Sequence, residues 1–307
     1  MNTFLWCLNT EKGLDVLNFL IKTNIKDIGA VCSYPEWNVQ KNFGDLIEKK
    51  CHENDIPYIS WNELKKDFKK NINKYHISGI VAIGWQYLLP LELNRNLPDK
   101  IIVFHDSLLP RYRGFCPTAT AILKGDGQIG ISVLYASEEI DAGDLILQKS
   151  VEINDSVYIE EAIKIISKLY CDCAVELIYL VRSNNIKTKK QDERLATYCI
   201  WRNPEDNEID WNSSARDILN LIRGSGYPYF GAYTSLQNDL IRVWEATVLD
   251  YDINFEIRDT GKIWKMENGN PTIICKNGLL KILRATYEGG GDIFPLKKFR
   301  LRFGRSR

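Results

Sequence analysis

The chain has 307 residues, enough for two domains or one large one and for a self-supporting hydrophobic core. Forty Lys plus Arg balance forty Asp plus Glu, so no global field attracts nucleic acid or an acidic membrane. Hydrophobic residues at 45% and charged residues at 26% exclude a disordered or fibrous chain. The first residues lack a basic segment with an apolar core, and no apolar run reaches about 18 residues, so we expect a cytoplasmic protein that does not bind a membrane.

The first two hundred residues alternate between strand-like and helix-like stretches. The apolar pattern predicts strands at 3–8, 28–32, 57–60, 77–83, 101–104, 130–135 and 144–151. It predicts helices at 13–22, 43–54, 63–72, 116–124 and 156–181, with Ser156 as the cap of the last one. Strands that alternate with helices predict βαβ units and a mainly parallel sheet.

The polar, basic stretch at 182–192 predicts a linker, and we place the domain boundary between residues 188 and 189. Beyond it, the pattern predicts a helix at 213–223 and strands at 241–248, 262–266, 272–275 and 279–286. Several short strands in so few residues predict a small, partly open β-barrel. The expected fold is therefore α/β over 1–188, followed by a β domain over 189–307.

Only three histidines, His52, His76 and His105, are available as a general base. His105 begins the segment HDSLLPRYRG directly after a predicted strand. Ligands in open α/β sheets bind beyond the carboxyl ends of the strands, so this histidine should face a crevice. The same loop adds the hydroxyl of Ser107 and the cations of Arg111 and Arg113, so it has the composition of a reactive-site loop.

Acidic residues follow in SEEIDAGD at 137–144, between two predicted strands. A carboxylate beside an imidazole fixes its tautomer and supports general-base chemistry, and Asp141 and Asp144 are both candidates. The eight cysteines lack paired CxxC spacing, so no metal site is predicted. The first strand-to-helix turn, LNTEKGLD, has one glycine where a dinucleotide site needs GxGxxG, which excludes nicotinamide chemistry.

HDSLLPRYRG, with KGDGQIGISVLYASEEIDAGDLILQ at 124–148, resembles the signature of the formyltetrahydrofolate-dependent formyltransferases. The likeness extends to GWQYLLP at 84–90, WRNPEDNEIDW at 201–211 and IRGSGYPYFGAY at 222–233, and so covers most of the chain. This resemblance implies a Rossmann-like catalytic domain with a small OB-like β-barrel domain after it. It also implies that a formyl group is transferred from N10-formyltetrahydrofolate.

By this resemblance, His105 matches the catalytic histidine and Asp141 matches the aspartate that assists its proton transfer. The folate is implied to lie along three segments, largely on backbone groups. These segments are Tyr87, Leu88 and Leu89; Ser107, Leu108, Leu109 and Pro110; and Ser137, Glu138, Glu139, Ile140 and Asp141.

One position departs from the family pattern. Two residues before the histidine, the family usually has an asparagine whose amide stabilises the oxyanion of the tetrahedral intermediate, and this chain has Val103. Loss of one oxyanion donor costs on the order of a hundredfold to a thousandfold in rate. Protonated His105, a backbone N–H or a water molecule replaces the amide, or the protein is slow or inactive.

The acceptor amine is the harder question. Zero net charge argues against tRNA, because binding a polyanion depends on neutralising phosphates. QDERLATYCIWRNPEDNEIDW at 191–211 resembles the amino-sugar N-formyltransferases, so we expect a small, nucleotide-linked amino sugar, with pseudaminic acid biosynthesis as one such pathway. The residues predicted to bind it are Arg113, Trp201, Arg202 and Tyr227, with Arg223 and Tyr229 as further candidates.

Two alternatives stay open. One is a methionyl-tRNA formyltransferase. The other is a catalytically impaired homologue that binds folate or a sugar nucleotide, for which Val103 is the supporting residue. The sequence also leaves open whether the chain forms a homodimer.

Overall fold

The computed structural model describes residues 3–35 and 42–304. Its contacts divide the chain into two units. The first unit comprises Met1–Pro117, Gln128–Glu152 and Ile163–Cys199, and the second comprises Thr118–Gly127, Ile153–Ala162 and Ile200–Arg307.

The first unit is built on one seven-stranded sheet. The strands of this half of the chain are β1 (Phe4–Leu8), β2 (Ile28–Ser33), β3 (Tyr58–Ser60), β4 (Gly79–Ile83), β5 (Ile101–His105), β6 (Arg113–Gly114), β7 (Gln128–Tyr135), β8 (Leu145–Glu152) and β9 (Tyr198–Cys199). The helices are α1 (Thr10–Lys22), α2 (Phe43–Glu53), α3 (Trp61–Leu64), α4 (Phe68–Lys74), α5 (Pro117–Lys124) and α6 (Ile159–Arg182).

The strand order of the sheet is β3-β2-β1-β4-β5-β7-β8. Strands β1 to β5 pair in parallel, whereas β7 and β8 are antiparallel to their neighbours. This confirms the mainly parallel, Rossmann-like sheet that the sequence predicts. The order reverses between β1 and β4, which makes the carboxyl ends of these strands a switch point of the kind where α/β proteins bind ligands.

Two helix predictions need correction. The single helix predicted at 63–72 is two short helices, because Asp67 leaves the helical conformation and its side chain accepts a hydrogen bond from the Lys70 N–H that begins α4. Ser156 does not cap α6, which begins at Ile159; the Ser156 hydroxyl instead donates to Asn154 Oδ1 at 2.6 Å.

The segment predicted as a linker, 182–192, also differs from the prediction. Lys189 pairs with Leu145 at the start of β8, and the residues up to Cys199 belong to the first unit. The domain boundary between 188 and 189 stays a prediction. The 189–199 segment, which we call the strap, belongs to the first unit and meets strand β8 through Lys189.

The second unit contains a five-stranded antiparallel sheet in the order β10-β11-β14-β13-β12. Its elements are α7 (Ala215–Ser225), β10 (Ala232–Leu236), β11 (Asp239–Val248), β12 (Ile263–Glu267), β13 (Asn270–Ile274) and β14 (Leu279–Tyr287). Strand β10 was missed by the sequence reading. Phe303 bridges to Leu236 and Arg302 bridges to Lys262, so the last described residues join the two edges of this sheet. The antiparallel β domain is confirmed, and its OB-like identity stays a prediction.

Within the described ranges 3–35 and 42–304, every helix is too short or too polar to span a bilayer.

Candidate functional site

His105 ends strand β5 and is 7% exposed. Its Nε2 lies 2.8 Å from the backbone oxygen of Tyr112. Because a carbonyl oxygen can only accept, Nε2 must carry a hydrogen, and the neutral ring then leaves Nδ1 as its basic nitrogen. Nδ1 lies 3.4 Å from Asp141 Oδ2, so a proton taken up there would lie beside a carboxylate. The two residues that the family resemblance pairs are therefore neighbours.

Asp141 is held in place by the turn between β7 and β8. Its φ of 56° lies in the left-handed region, and its Oδ2 accepts a hydrogen bond from the Gly114 N–H at 2.9 Å. Two residues on, a Cβ at Gly143 would lie 1.8 Å from the oxygen of Tyr135, so only glycine lets this turn close. The geometry explains the DAGD spacing of the sequence.

The strap fixes this turn from the other side. The Gln191 side-chain amide donates to the backbone carbonyl oxygen of Asp141 at 2.7 Å and to that of Gly143 at 2.8 Å. Gln191 was not predicted as a site residue, because it lies in a polar stretch that has no local signal of structure.

The SLLP segment is anchored by side chains of β7 and β8. Ser132 Oγ donates to Ser107 O at 2.6 Å and accepts from the Leu109 N–H at 3.1 Å, and Gln148 donates to Leu109 O at 2.9 Å. Ser107 and Leu109 have buried side chains. Backbone groups of this segment are thus already hydrogen-bonded, and the partly buried side chains of Leu108 and Pro110 are what it leaves for a ligand.

Arg113 takes a different place from the one predicted. Its guanidinium donates to Glu193 at 2.7 and 2.8 Å and to Gln191 Oε1 at 2.8 Å, and its side chain is 1% exposed. The hydrogen bonds to Glu193 raise the pKa of Arg113. A buried, fully engaged cation has no free face for a substrate phosphate, so the structure argues against the predicted substrate contact. Arg113 holds the strap to the His105 loop.

A second charged cluster adjoins His105 and was missed by the sequence reading. The carboxylate of Asp106 accepts hydrogen bonds from Lys12 of α1 and from the hydroxyl of Tyr170 of α6. Burial opposes the charge of Asp106, but Lys12 and Tyr170 outweigh it and lower the pKa of this carboxyl. Burial and the charge of Asp106 raise the pKa of Tyr170 well above its ordinary value. Asp106 stands in the HDSLLP motif, whereas Lys12 and Tyr170 carry no local signal.

Val103 lies on the same face of β5 as His105, two residues before it, and packs with Leu109, Leu134 and Leu145. An apolar contact fills the place where the family usually has an amide. No side-chain donor replaces it at that position.

A buried amide does lie two strands away. Asn9 follows β1, and the parallel register Leu8 to Ile83 and Ala82 to Val103 sets Asn9, Gly84 and His105 abreast at the switch point. Asn9 is fully buried, and neither its Oδ1 nor its Nδ2 has a hydrogen-bond partner among the described residues. An unsatisfied buried amide costs about 1–3 kcal/mol, so this one is a group that a ligand or water would stabilise.

The Tyr87 loop follows β4 and offers apolar surface. Tyr87 stacks on Trp61 with ring centroids 5.0 Å apart, and Leu88 is 86% exposed, while Leu89 packs against the core. On the β7–β8 turn, the side chain of Ile140 is 59% exposed, and the exposed Ser137, Glu138 and Glu139 precede it. The Tyr87 loop and the β7–β8 turn thus both expose apolar side chains that a ligand could cover.

The other predicted acceptor residues belong to the second unit. Trp201 is 62% exposed and Tyr227 is 48% exposed, whereas Arg202 donates to the oxygen of Asp206 at 2.8 Å. Of the further candidates, Tyr229 is 37% exposed and Arg223 is 2% exposed, with its guanidinium bonded to Asn154 O and Asn220 Oδ1. Arg223 is thus a structural residue of this unit.

Comparison with known sequences gives two family matches. Residues 28–168 match "Formyl transferase" and residues 202–299 match "Formyl transferase, C-terminal domain". The methionyl-tRNA formyltransferase of Fusobacterium nucleatum is 36% identical over 198 residues, which are 62% of this chain and 64% of that protein. The methionyl-tRNA formyltransferase of Carboxydothermus hydrogenoformans is 30% identical over 252 residues, which are 82% of this chain and 80% of that protein.

Solved structures share the fold at low sequence identity. WlaRD, a sugar 3N-formyl transferase solved in the presence of dTDP and 5-N-formyl-THF, superimposes with a TM-score of 0.67 at 16% identity, over 92% of this chain and 97% of that one. The N-formyltransferase of Helicobacter canadensis, solved with folinic acid and dTDP-3-aminofucose, has a TM-score of 0.67 at 17% identity, over 92% and 99%.

Proposed function

Because the chain belongs to the formyltransferase family, we propose that it transfers the formyl group of N10-formyltetrahydrofolate to the amine of a nucleotide-linked amino sugar. Membership of the family confirms the predicted enzyme class and the predicted formyl donor. The acceptor and the roles of individual residues are the proposed part. We also propose that the protein acts in the cytoplasm.

The pair of His105 and Asp141 carries this proposal. With Nε2 holding a hydrogen toward Tyr112 O, the His105 Nδ1 is the nitrogen that takes the proton lost by the attacking amine. Asp141, 3.4 Å away, stabilises the imidazolium that results. The amine bonds to the formyl carbon, the bond from that carbon to N10 of the donor breaks, and N10 leaves with a proton as tetrahydrofolate. The chain's own residues orient the amine and move its proton. Gly114 and Gln191 keep Asp141 at this position throughout.

We assign the donor to the three segments that the sequence predicts. Tyr87 and Leu88 present apolar surface, the segment from Ser107 to Pro110 presents the side chains of Leu108 and Pro110, and the turn from Ser137 to Asp141 presents Ile140 and its backbone. The Ser137 hydroxyl is turned inward to Glu139 O at 2.7 Å, so backbone groups and Ile140 are what this turn offers.

For the acceptor, three observations favour a small anionic molecule. The chain is electrically balanced, its residues 191–211 resemble the amino-sugar branch, and exposed aromatic side chains such as Trp201 and Tyr227 suit stacking on a base or sugar. Two solved structures that share its fold were crystallised with dTDP or a dTDP-linked amino sugar. We propose dTDP- or UDP-linked amino sugars as the class of acceptor. This proposal gives no role to a membrane or to nucleic acid, and it is compatible with a monomer or a homodimer.

Methionyl-tRNA is the second candidate acceptor, and a specific observation favours it. The curated relatives at 36% and 30% identity are both named methionyl-tRNA formyltransferases. The exposed cations Lys297, Lys298 and Arg300 near the end of the described chain would serve as local phosphate contacts.

One assay separates the candidates. The purified chain is mixed with N10-formyltetrahydrofolate and, in parallel, with a panel of dTDP- and UDP-linked amino sugars or with charged initiator tRNA, and tetrahydrofolate release is followed by absorbance. We expect turnover with an amino-sugar nucleotide and none with methionyl-tRNA. Turnover with tRNA alone would reverse the assignment. Binding of folate or sugar nucleotide without turnover on any acceptor would favour the impaired homologue.

A further inference from the structure

Lys12, Asp106 and Tyr170 bring three separate elements of the first unit together directly beside His105. Lys12 lies in the first turn of α1, Asp106 follows His105 in the chain, and Tyr170 lies in the middle of α6. The Asp106 carboxylate accepts from both other side chains. The Tyr170 hydroxyl also lies 3.3 Å from Phe104 O, and the Lys12 ammonium lies 5.7 Å from the centre of the Tyr170 ring.

The cluster is mostly withdrawn from water. Tyr170 is 1% exposed, and the side chains of Lys12 and Asp106 are 17% and 14% exposed. Charges in such a setting act on their neighbours more strongly than they would in water, because solvent screens them less. His105 is among the groups that lower the pKa of Asp106, after Lys12 and Tyr170, so the two neighbouring side chains lie within electrostatic reach of each other.

The charges around His105 can be counted element by element. Asp141 faces the ring from the β7–β8 turn. Asp106 is the next residue in the chain, and Lys12 from α1 and the neutral Tyr170 from α6 contact its carboxylate. In the loop itself, Arg113 is paired with Glu193, and Arg111 donates to the hydroxyl of Tyr112. Without Lys12, two carboxylates would favour the imidazolium, and a general base must be neutral to accept a proton.

We propose that Lys12, Asp106 and Tyr170 are positioning residues for His105: they fix the chain immediately after it and cancel one of its two neighbouring carboxylate charges. The remaining carboxylate, Asp141, then stabilises the imidazolium that forms when His105 takes up a proton. The idea rests on the proposed function only where it treats His105 as the base. The juxtaposition of the four side chains is independent of which acceptor the enzyme uses.

The test reads the imidazole itself. The chain has three histidines, so NMR titration of ring-labelled protein gives three curves, and the His105→Asn variant identifies the curve of His105. In Asp106→Asn, loss of a negative charge disfavours the imidazolium, and we expect the midpoint to move down by about one pH unit. In Lys12→Met, loss of a positive charge favours it, and the midpoint should move up by a similar amount.

The double variant and two controls complete the design. Lys12→Met with Asp106→Asn removes both charges, so its midpoint should return close to that of the unmodified chain. Tyr170→Phe keeps both charges and should move the midpoint less than either single variant. Asp27→Asn changes an ion-paired carboxylate at the opposite end of the sheet and should leave the curve in place.

Opposite movements that cancel in the double variant support the proposal. Curves that move in the same direction, or stay in place while the melting temperature falls, mean that the cluster is only structural, and the proposal is then wrong. Because the titration needs no substrate, it stands even if every acceptor in the transfer assay fails. With an active acceptor, the acid limb of the pH profile of kcat/KM should move down in Asp106→Asn, move up in Lys12→Met and return in the double variant.

Discussion

Both ends of the parallel strands carry a buried carboxylate, and their surroundings differ. At the amino end, Asp27 is 1% exposed and bonds to Arg182, whose side chain is 53% exposed, so one anion meets one cation that reaches water. At the carboxyl end, Asp106 meets Lys12 and Tyr170 beside His105 and Asp141. The first arrangement is a single ion pair, whereas the second one directly follows the residue proposed as the general base.

This contrast suggests that polar groups at the amino end of the strands serve stability and that those at the carboxyl end serve the reaction. An ion pair that only stabilises should be replaceable without a change in rate, while groups at the carboxyl end should change the rate with a smaller effect on folding. Four substitutions test this difference between the two ends, and removal of His105 should have the strongest effect.

His105→Asn removes the base at the carboxyl end. We expect kcat to fall about a hundredfold to ten-thousandfold, which is the usual contribution of a general base, while the melting temperature stays within a few degrees. Tetrahydrofolate release with the active acceptor measures the first and thermal unfolding the second. Near-normal turnover would remove His105 from the mechanism.

Arg182→Met leaves the Asp27 carboxylate buried without its cation at the amino end. The free energy of unfolding should fall by about 3 kcal/mol, at the low end for a broken buried pair because Arg182 is half exposed. Denaturant unfolding measures this loss. We expect kcat of the folded protein to stay unchanged, and a matching loss of rate would show that the two ends are not independent.

Gly114→Ala tests the backbone that holds Asp141. Gly114 has a φ of 96°, and an added Cβ would lie 2.5 Å from the oxygen of Cys199, so we expect a loss of about 1–3 kcal/mol in stability and a lower kcat. Gly290→Ala is the matched control, because Gly290 has a φ of 89° and no atom within 4 Å of its Cβ position. If both variants lose the same stability and keep full rate, the contact with the strap is unimportant.

Val103→Asn restores the amide that the family usually has. We expect kcat to rise about tenfold if the oxyanion lacks a side-chain donor, at a cost in stability because Val103 packs among apolar neighbours. Steady-state kinetics measure the gain. An unchanged or lower kcat would indicate that another donor already serves, and Asn9→Ala in both backgrounds would then show whether the buried amide at the switch point is that donor.

Patterns of apolar residues predict the strands and the order of elements well, because period and length carry that information locally. The alternation of β and α segments predicts the parallel sheet. HDSLLPRYRG with DAGD gives His105 two candidate partners, Asp141 and Asp144, and the family resemblance selects Asp141. Strand β10 was missed, although its buried residues alternate, because it lies among aromatic and glycine residues that suit a loop equally well.

The rest of the site is long-range and has no local signature. Lys12 is 94 residues from Asp106 in sequence, and Gln191 is 50 residues from Asp141. Such contacts arise only when the sheet brings its strand ends and turns together. Arg113 shows the converse, since an arginine in a reactive-site loop suggests a ligand contact, but Glu193 and Gln191 engage it.

The strap has a practical consequence for protein engineering. Gln191 joins it to the turn that carries Asp141, Arg113 joins it to the His105 loop, and Cys199 pairs with Gly114. A chimaera that exchanges C-terminal parts between relatives, to test whether they set acceptor choice, should therefore be joined after residue 199. A junction at the polar stretch near residue 188, which the sequence alone suggests, would also replace the residues that hold Asp141, so a loss of chemistry would be confused with a change of substrate.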